Sequence, residues 1–252
     1  MIWDQLTTID FNEIDRATPV VLPISATEQH GPHLPLATDR IIGEYFCQQL
    51  HAKIPDDVLL LPSVSVGYSE HHMDFAGTLS INHSTAIQQA EQILASCHRH
   101  GFRNFIIFNS HGGNQGWSQV LTEKIGGKFP TANLVLITWW KLAAQKLLDI
   151  STTGAGGVGH AGEFETSLLL HINPNLVDQE NIPIMANTKT FDWAEMDMLR
   201  SPSAALYRTM KEMTPTGVFG DATQSSAEKG EKLSKIVVNQ LERIVIDLKQ
   251  QT

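Results

Sequence analysis

Short apolar runs alternate with helical patterns along most of this chain, and that alternation restricts the folds it can adopt. Each run is rich in β-branched or aromatic residues and is bounded by turn residues, which predicts a strand. The predicted strands lie at Val20–Ile24, Val58–Val66, Phe105–Phe108 and Leu134–Thr138. Because strands that alternate with helices form parallel sheets covered on both faces, we expect an α/β fold. The expected architecture is a three-layer α/β/α sandwich with a mostly parallel central sheet.

The chain is long enough for one large core. It has 252 residues, of which 42% are hydrophobic, and this favours a single domain over residues 1–252. The segment 188–215 is less regular and contains Pro202 and Pro215, so we expect an insertion or flap there. The final helix has the clearest apolar stripe, and the spacing of Ser225 and Glu228 predicts a capping box at its start.

Composition argues against several classes of partner. The net charge of −9 repels phosphate backbones, so we expect no nucleic acid partner. No apolar run approaches the roughly 20 residues of a membrane span, so we expect no membrane contact. The start of the chain lacks a signal-peptide pattern, and Cys47 and Cys97 show no CxxC spacing. These features predict buried thiols in a reducing compartment and a cytoplasmic location.

The first cluster of candidate site residues follows the first predicted strand. Open α/β sheets bind ligands beyond the carboxyl ends of their strands, which is where this cluster lies. Glu28 and His30 are two residues apart, so an extended chain places both side chains on the same side. The turn residues that follow allow Asp39 to return toward them from the next helix. Carboxylates and imidazoles are ligands of first-row metals, although an N-capping Asp39 beside a surface Glu28 and His30 would give the same pattern.

A second cluster follows the third predicted strand. His111 precedes Gly112 and Gly113, and two glycines let the backbone pass close to a bound ion or substrate. The alternative is an incidental histidine in a glycine-rich turn between a strand and a helix.

Two further clusters are expected at the same edge of the sheet. His160 and Glu165 open a later helical run and suit proton transfer and metal binding, although acidic residues near a helix start also favour the helix dipole. Glu70, His71 and His72 follow the second predicted strand. We interpret these histidines as a wall of the crevice more readily than as metal ligands.

These clusters resemble the motifs of the creatininase (creatinine amidohydrolase) family, in the order of that family and over roughly residues 18–235. The matching stretches are Glu28-Gln-His-Gly-Pro-His-Leu-Pro-Leu with Asp39, Phe75-Ala-Gly-Thr, Asn109-Ser-His-Gly-Gly-Asn, His160-Ala-Gly-Glu-Phe-Glu-Thr-Ser and Ala227-Glu-Lys-Gly. The resemblance implies a three-layer α/β/α fold and a homo-oligomer, commonly a hexamer. It also implies cleavage of C–N bonds with two divalent ions.

The resemblance assigns a role to each matching metal-binding position. Glu28 and His111 resemble ligands of one metal, His30 resembles a ligand of the second, and Asp39 resembles the bridging carboxylate. Glu165 resembles the acidic residue that follows the catalytic histidine, and we expect it at the second metal. Ligation by nitrogen and oxygen alone suits Zn²⁺, Mn²⁺ or Fe²⁺.

The catalytic residues implied by the resemblance are His160, as the proton-shuttling histidine, and Glu165. Two positions depart from members of the family that hydrolyse creatinine. Those members have a metal-binding glutamate where this chain has Gly113, and a tryptophan in the region of Gly156 and Gly157. The glycines predict an open, mobile loop at 154–159, and together the departures predict that creatinine is a poor substrate.

The substrate is expected to be a small molecule with a cyclic amide, a formamide or a peptide-like bond. Trp140 matches a tryptophan of the family and follows the last predicted strand. The predicted substrate-binding residues are Trp140, Gly112, Gly113, Glu70 and His71. The sequence therefore predicts a metal-dependent amidohydrolase that uses a metal-activated water. Two alternatives are a metal-stabilised binding protein without catalytic activity and a metal-dependent phosphoesterase.

Overall fold

Four strands form the sheet of this protein, whose computed structural model describes residues 1–195 and 197–251. The strands are β1 (Val20–Ile24), β2 (Leu59–Leu60), β3 (Asn104–Asn109) and β4 (Asn133–Thr138). The α-helices are α1 (Thr38–Lys53), α2 (His83–Arg99), α3 (Gln115–Lys128), α4 (Trp139–Leu142), α5 (Ala144–Leu148), α6 (Glu163–Ile172), α7 (Met210–Met213) and α8 (Ala227–Gln250). In the part of the chain described, none of these helices combines the length and the hydrophobicity of a membrane span.

All neighbouring strands of the sheet run parallel, in the order β2-β1-β3-β4. Helices cover both faces, so the predicted three-layer α/β/α fold is confirmed. The second strand is much shorter than the predicted Val58–Val66. Val21 pairs with Leu60 but Ile24 pairs with Val64, so one extra residue is inserted next to Pro62, which has no N–H to donate.

Side chains of β1 alternate between the two faces of the sheet. Val20, Leu22 and Ile24 pack with α2 and α3, whereas Val21 packs with α1, α6 and α8. Because both faces are covered, every residue of β1 is buried. This burial explains why the strand is a continuous apolar run without polar alternation.

The strand order creates a crevice between the carboxyl ends of β1 and β3. From β1 the chain passes through α1 to β2 on one side, and then through α2 to β3 on the other side of β1. Connections that leave two neighbouring strands in opposite directions separate at their carboxyl ends, and ligands bind in the gap. The fold therefore places the loops that follow β1 and β3 around one cavity.

The final helix begins one residue later than the capping-box pattern predicts. Ser226 is the N-cap, and its Oγ accepts a hydrogen bond from the Lys229 backbone N–H at 3.2 Å. Ser225 instead donates to the Ala222 carbonyl oxygen at 2.7 Å, and Glu228 pairs with Lys232. The predicted capping box at Ser225 and Glu228 is therefore wrong.

The segment 188–215, predicted as an insertion or flap, contains little regular structure. It carries a 3-10 turn at Asp192–Ala194 and the single turn of α7. Met198, Tyr207 and Met210 from this segment line the cavity at the carboxyl edge of the sheet. The described residues of this segment, 188–195 and 197–215, therefore cover the site region and add no strand to the sheet.

A buried ion pair joins the start of α6 to the start of α8. The Glu163 carboxylate is fully buried, pairs with the Lys229 ammonium and accepts hydrogen bonds from Ser151 Oγ at 2.9 Å and Thr152 N at 2.8 Å. Gly230 completes the contact, because a Cβ there would lie 2.1 Å from the Ser167 carbonyl oxygen. Glu163 thus fixes α6, α8 and the loop at 151–152 relative to one another.

Glu163→Ala should destabilise the fold by about 3–5 kcal/mol, because it leaves the Lys229 ammonium without its buried partner. Chemical denaturation measures this change in the free energy of unfolding. Glu228→Ala is the matched control: its side chain is 75% exposed and pairs with Lys232 on the surface, so it should cost less than about 1 kcal/mol. Equal effects of the two substitutions would contradict the role given to Glu163.

Candidate metal centre

The five predicted metal ligands converge at the carboxyl ends of β1 and β3. Glu28 and His30 follow β1, Asp39 lies in the first turn of α1, His111 follows β3, and Glu165 lies in the first turn of α6. All five side chains are buried. The fold thus gathers three carboxylates and two imidazoles into one site. Asp39 does not cap its helix, which excludes the capping alternative for that residue.

Glu28, Asp39 and His111 form one compact group of donor atoms. His111 Nδ1 lies 3.2 Å from Glu28 Oε1 and 3.1 Å from Asp39 Oδ2. One ligand atom from each residue lies within 4.8 Å of the other two. This is the spacing of groups that share a metal ion.

His30, His160 and Glu165 form a second group with the same spacing. His30 Nε2 lies 3.8 Å from Glu165 Oε2 and 3.4 Å from Asp39 Oδ1. The two oxygens of Asp39 therefore face different groups, Oδ1 toward His30 and Oδ2 toward His111. Asp39 lies between the two groups, where the sequence predicts a bridging carboxylate.

His72 belongs to a third group, with Glu28 and His160. Its Nε2 lies 3.4 Å from Glu28 Oε1, and His160 Nδ1 lies 3.6 Å from the same oxygen. Sequence reasoning placed His72 in the wall of the crevice. Nothing in the sequence around His72 separates it from His71, since both are adjacent in one 3-10 turn.

The unsatisfied atoms of the site fit divalent cations. Among residues 1–195 and 197–251, no group stands in hydrogen-bonding geometry to either Glu28 carboxylate oxygen, to Asp39 Oδ2 or to His30 Nε2. A buried polar atom without a partner costs about 1–3 kcal/mol, and more when it is charged. Cations at this position would satisfy these oxygens and this nitrogen at once, so the donor set suits a metal centre.

Three histidines of the site are held in the manner typical of metal ligands. Each donates one ring N–H to a backbone carbonyl, which only accepts, so the other ring nitrogen faces the carboxylates and, when it carries no proton, can offer its lone pair to a cation. The bonds are His30 Nδ1 to Glu28 O (3.1 Å), His111 Nε2 to Tyr68 O (2.9 Å) and His160 Nε2 to Gln29 O (2.7 Å).

The electrostatics of the metal-free site depend on burial and on the three carboxylates. Burial raises the pKa of Glu165 to about 8, although His30 opposes this shift. Burial alone would lower the pKa of His30, but the Asp39 and Glu165 carboxylates raise it to about 9. Burial, supported by the neighbouring His30, lowers the pKa of His160 to about 3. Protons on His30 and Glu165 thus compensate part of the negative charge that cations would otherwise compensate.

A strained backbone positions Glu165. Ala161 has a φ of 53°, a left-handed conformation that costs a non-glycine residue about 1–2 kcal/mol. In this conformation the Ala161 N–H donates to Glu165 Oε2 at 2.6 Å. The strain lies beside His160 and orients the carboxylate of the second group, as strain at functional sites commonly does.

A cleft of about 460 Å³ opens above these groups. Four of the predicted substrate-binding residues line it, namely Trp140, Gly112, Gly113 and His71. Glu70 does not, because the 3-10 turn at 70–72 places its side chain on the exposed surface. The prediction that Glu70 contacts the substrate therefore has no support in the geometry. Tyr207, Arg208 and Phe219 also line the cleft, and their contribution was not predicted.

Comparison with known proteins identifies the family. The sequence model of a family described as creatininase, creatinine amidohydrolase, matches residues 4–245. This chain belongs to the creatininase family. It is 30% identical over 241 residues to the mycofactocin precursor peptide peptidase of Mycobacterium tuberculosis, covering 90% of this chain and 84% of that protein. It is 26% identical over 235 residues to the creatinine amidohydrolase of Pseudomonas putida, covering 87% and 85%.

A solved creatininase structure has the same fold as this chain. It is a zinc–zinc type structure of a variant with glutamine in place of a glutamate, and it superposes with a TM-score of 0.79. The match covers 98% of this chain and 97% of that chain at 23% identity. The predicted family is confirmed, and as a member of the creatininase family the chain is a hydrolase that acts on C–N bonds.

Gly113, where the sequence predicts a departure from the members that hydrolyse creatinine, is tightly enclosed. A Cβ at this position would lie 2.1 Å from the Tyr68 carbonyl oxygen and 2.5 Å from His111 Nε2. A glutamate side chain therefore has no room here. The carboxylate beside His30 in this chain is that of Glu165, with Oε2 3.8 Å from His30 Nε2.

The loop at 154–159, predicted to be open, is crowded at two of its glycines, whereas Gly154 has open space around it. A Cβ at Gly157 would lie 2.2 Å from Thr153 Cβ, and one at Gly159 would lie 1.9 Å from the Phe219 carbonyl oxygen. These glycines permit close contact between backbone segments. Packing against 153 and 219 accounts for Gly157 and Gly159, and Gly159 also lines the cleft.

The thermal stability of the metal-free protein should fall as the pH rises from about 7 to about 9. The pKa of His30 is raised from 6.5 to about 9, and that of Glu165 from 4.5 to about 8. The folded state thus binds more protons than the unfolded state in this range, and stability decreases as those protons leave. Cations replace the protons, so the metal-loaded protein should lose less stability.

Differential scanning calorimetry at several pH values measures this effect as the gap in Tm between the loaded and the metal-free protein. The difference removes contributions from ionisable groups outside the site, since these are the same in both forms. The gap should widen with pH. A gap that stays constant or narrows between about pH 7 and 9 is incompatible with protons and cations competing for these groups.

Proposed function

We propose that this chain hydrolyses an amide C–N bond of a small molecule with a water activated between two divalent cations. The observation that carries the proposal is the position of Asp39, with Oδ1 toward His30 and Oδ2 toward His111. A carboxylate that directs one oxygen toward each of two donor groups can be shared by two cations. Glu28 and His111 would hold one cation, and His30 and Glu165 would hold the other. Zn²⁺, Mn²⁺ and Fe²⁺ all suit these donors.

The chain's own groups would move the proton. Bound cations lower the pKa of a water and polarise a substrate carbonyl. His160 is neutral at physiological pH, and its unprotonated Nδ1 lies 3.6 Å from Glu28 Oε1, facing the site. His160 takes the proton of the attacking water at this nitrogen and returns it to the departing nitrogen of the substrate.

The cleft supports a substrate larger than creatinine. Its volume of about 460 Å³ lies within the range of roughly 300–1,000 Å³ that holds drug-sized ligands. Much of its lining is apolar or aromatic, including Trp140, Met198, Tyr207, Met210 and Phe219. A small planar ring would leave most of this surface in contact with water, whereas an apolar side chain would bury it.

Basic side chains in the cleft favour an anionic end on the substrate. Arg200 is neutralised by Asp197 at 2.8 Å, but Lys141 and Arg208 form no ion pair with any residue that the structure describes. Arg208 donates to the Thr188 carbonyl oxygen at 3.1 Å. Cations without acidic partners would attract a carboxylate into the cleft. One relative is named a peptide peptidase, and a short peptide end carries both the apolar side chain and the carboxylate.

A substrate panel with metal analysis tests the proposal. Metal-loaded protein should cleave short apolar peptides with a free carboxylate at least 10-fold more efficiently, in kcat/KM, than creatinine or the same peptides with an amidated end. Phosphate esters in the panel test the phosphoesterase alternative. A creatinine kcat/KM above about 10⁴ M⁻¹s⁻¹, the lower end of ordinary enzyme efficiency, would refute the substrate assignment, and cleavage of esters alone would refute the reaction.

Asp39→Asn should reduce the metal content from close to two ions per chain to less than one. A shared ligand touches both cations and offsets their mutual repulsion, so its loss weakens both sites. Glu28→Gln is the matched control, since it removes a charge from one site and should leave about one ion bound. Elemental analysis after dialysis gives the stoichiometry. An Asp39→Asn protein that keeps both ions would show that Asp39 is not shared.

A further inference from the structure

Gln29 orients His72 differently from the other histidines of the site. Those histidines donate a ring N–H to a backbone carbonyl, whereas His72 faces the side-chain amide nitrogen of Gln29. The Gln29 side chain is buried, and its Nε2 lies 2.8 Å from His72 Nδ1 and 3.0 Å from the Gly217 carbonyl oxygen. Its Oε1 accepts the Gly31 backbone N–H at 2.9 Å. Two backbone groups thus fix the amide, because an N–H must face its oxygen and a carbonyl must face its nitrogen.

The fixed amide determines the tautomer of His72. One Gln29 N–H is donated to Gly217, and the other points to His72 Nδ1, which must therefore accept. Gln29 Nε2 also lies 3.2 Å from His160 Nε2, but that nitrogen already donates to the Gln29 carbonyl oxygen at 2.7 Å. The second contact is therefore not a hydrogen bond. A neutral His72 that accepts at Nδ1 carries its proton on Nε2.

The Nε2–H of His72 is available to a substrate. The nearest acidic oxygen, Glu28 Oε1, is 3.4 Å away, beyond the usual 2.7–3.2 Å of an N–H···O bond. Among the described residues no other acceptor bonds to it, and His72 lines the cleft. His160 lies beside it, with ring centres 4.4 Å apart, and presents an unprotonated nitrogen. The cleft thus has one fixed donor next to one fixed acceptor.

We propose that His72 is an oxyanion donor, and that Gln29 is the residue that positions it. His72 Nε2–H donates to the substrate carbonyl oxygen as negative charge develops there, and the proton stays on His72 throughout. A donor that is oriented before the reaction stabilises that charge without reorganisation. This inference rests on the proposed amide hydrolysis. The rival role for His72 is that of a metal ligand, which would require a lone pair on Nε2, where the Gln29 contact places a proton.

His72→Gln and His72→Asn separate these roles. The terminal amide nitrogen of glutamine reaches the position of Nε2, whereas that of asparagine reaches only the position of Nδ1. With the best substrate of the panel, His72→Asn should lower kcat by about 100-fold or more, the usual effect of losing one oxyanion donor. KM and the metal content should change little. His72→Gln should recover most of the lost kcat.

A binding measurement gives a second readout that does not need turnover. Isothermal titration of the metal-loaded proteins with acetohydroxamate, whose carbonyl oxygen takes the place of the substrate's, should show about 10-fold weaker binding to His72→Asn and near-normal binding to His72→Gln. Loss of metal from His72→Asn would show that His72 is a metal ligand. Equal affinities and equal rates in the two variants would show that His72 does not act as a donor. If the wild type hydrolyses no amide, the proposed function fails, while the hydroxamate result still decides the role of His72.

Discussion

Burial of three carboxylates in one place is the constraint on which the rest of this site depends. Glu28, Asp39 and Glu165 are almost completely shielded from water and approach the same imidazoles. Uncompensated, such charges would cost the fold several kcal/mol each. The fold offsets part of that cost with helix dipoles, since Asp39 and Glu165 lie in the first turns of α1 and α6. The remainder requires protons or cations, and the oxygens without hydrogen-bond donors indicate cations.

The topology of the sheet explains why these groups meet although they are far apart in the chain. The loops after β1 and β3 end at the switch point of the sheet, and α6 reaches the same edge through the loop that Glu163 fixes. The order of the strands thus brings Glu28 and His111 together from neighbouring strands.

Much of this arrangement follows from local sequence patterns. Continuous apolar runs predicted the parallel sheet, and their carboxyl ends predicted the positions of Glu28, His30 and His111. The pattern was less informative about contacts between distant segments. Gln29 meets His72 across 43 residues and His160 across 131, so nothing near His72 in the sequence indicates which of its nitrogens carries the proton. The predicted start of α8 was wrong because Ser225 and Ser226 offer the same side chain, and contacts such as the tertiary hydrogen bond from Ser226 N to Ser167 Oγ separate them.

The glycine at position 113 is required by the surrounding loop. The Tyr68 carbonyl oxygen occupies the space of a Cβ at 113, and the same oxygen accepts the His111 Nε2–H at 2.9 Å. Moving Tyr68 to admit a side chain would therefore release the bond that orients His111 as a ligand. His71, 3.0 Å from the same Cβ position, restricts it further. A glutamate at 113 thus requires a different path for residues 68–71, and a single substitution of Gly113 would not install a carboxylate at this position.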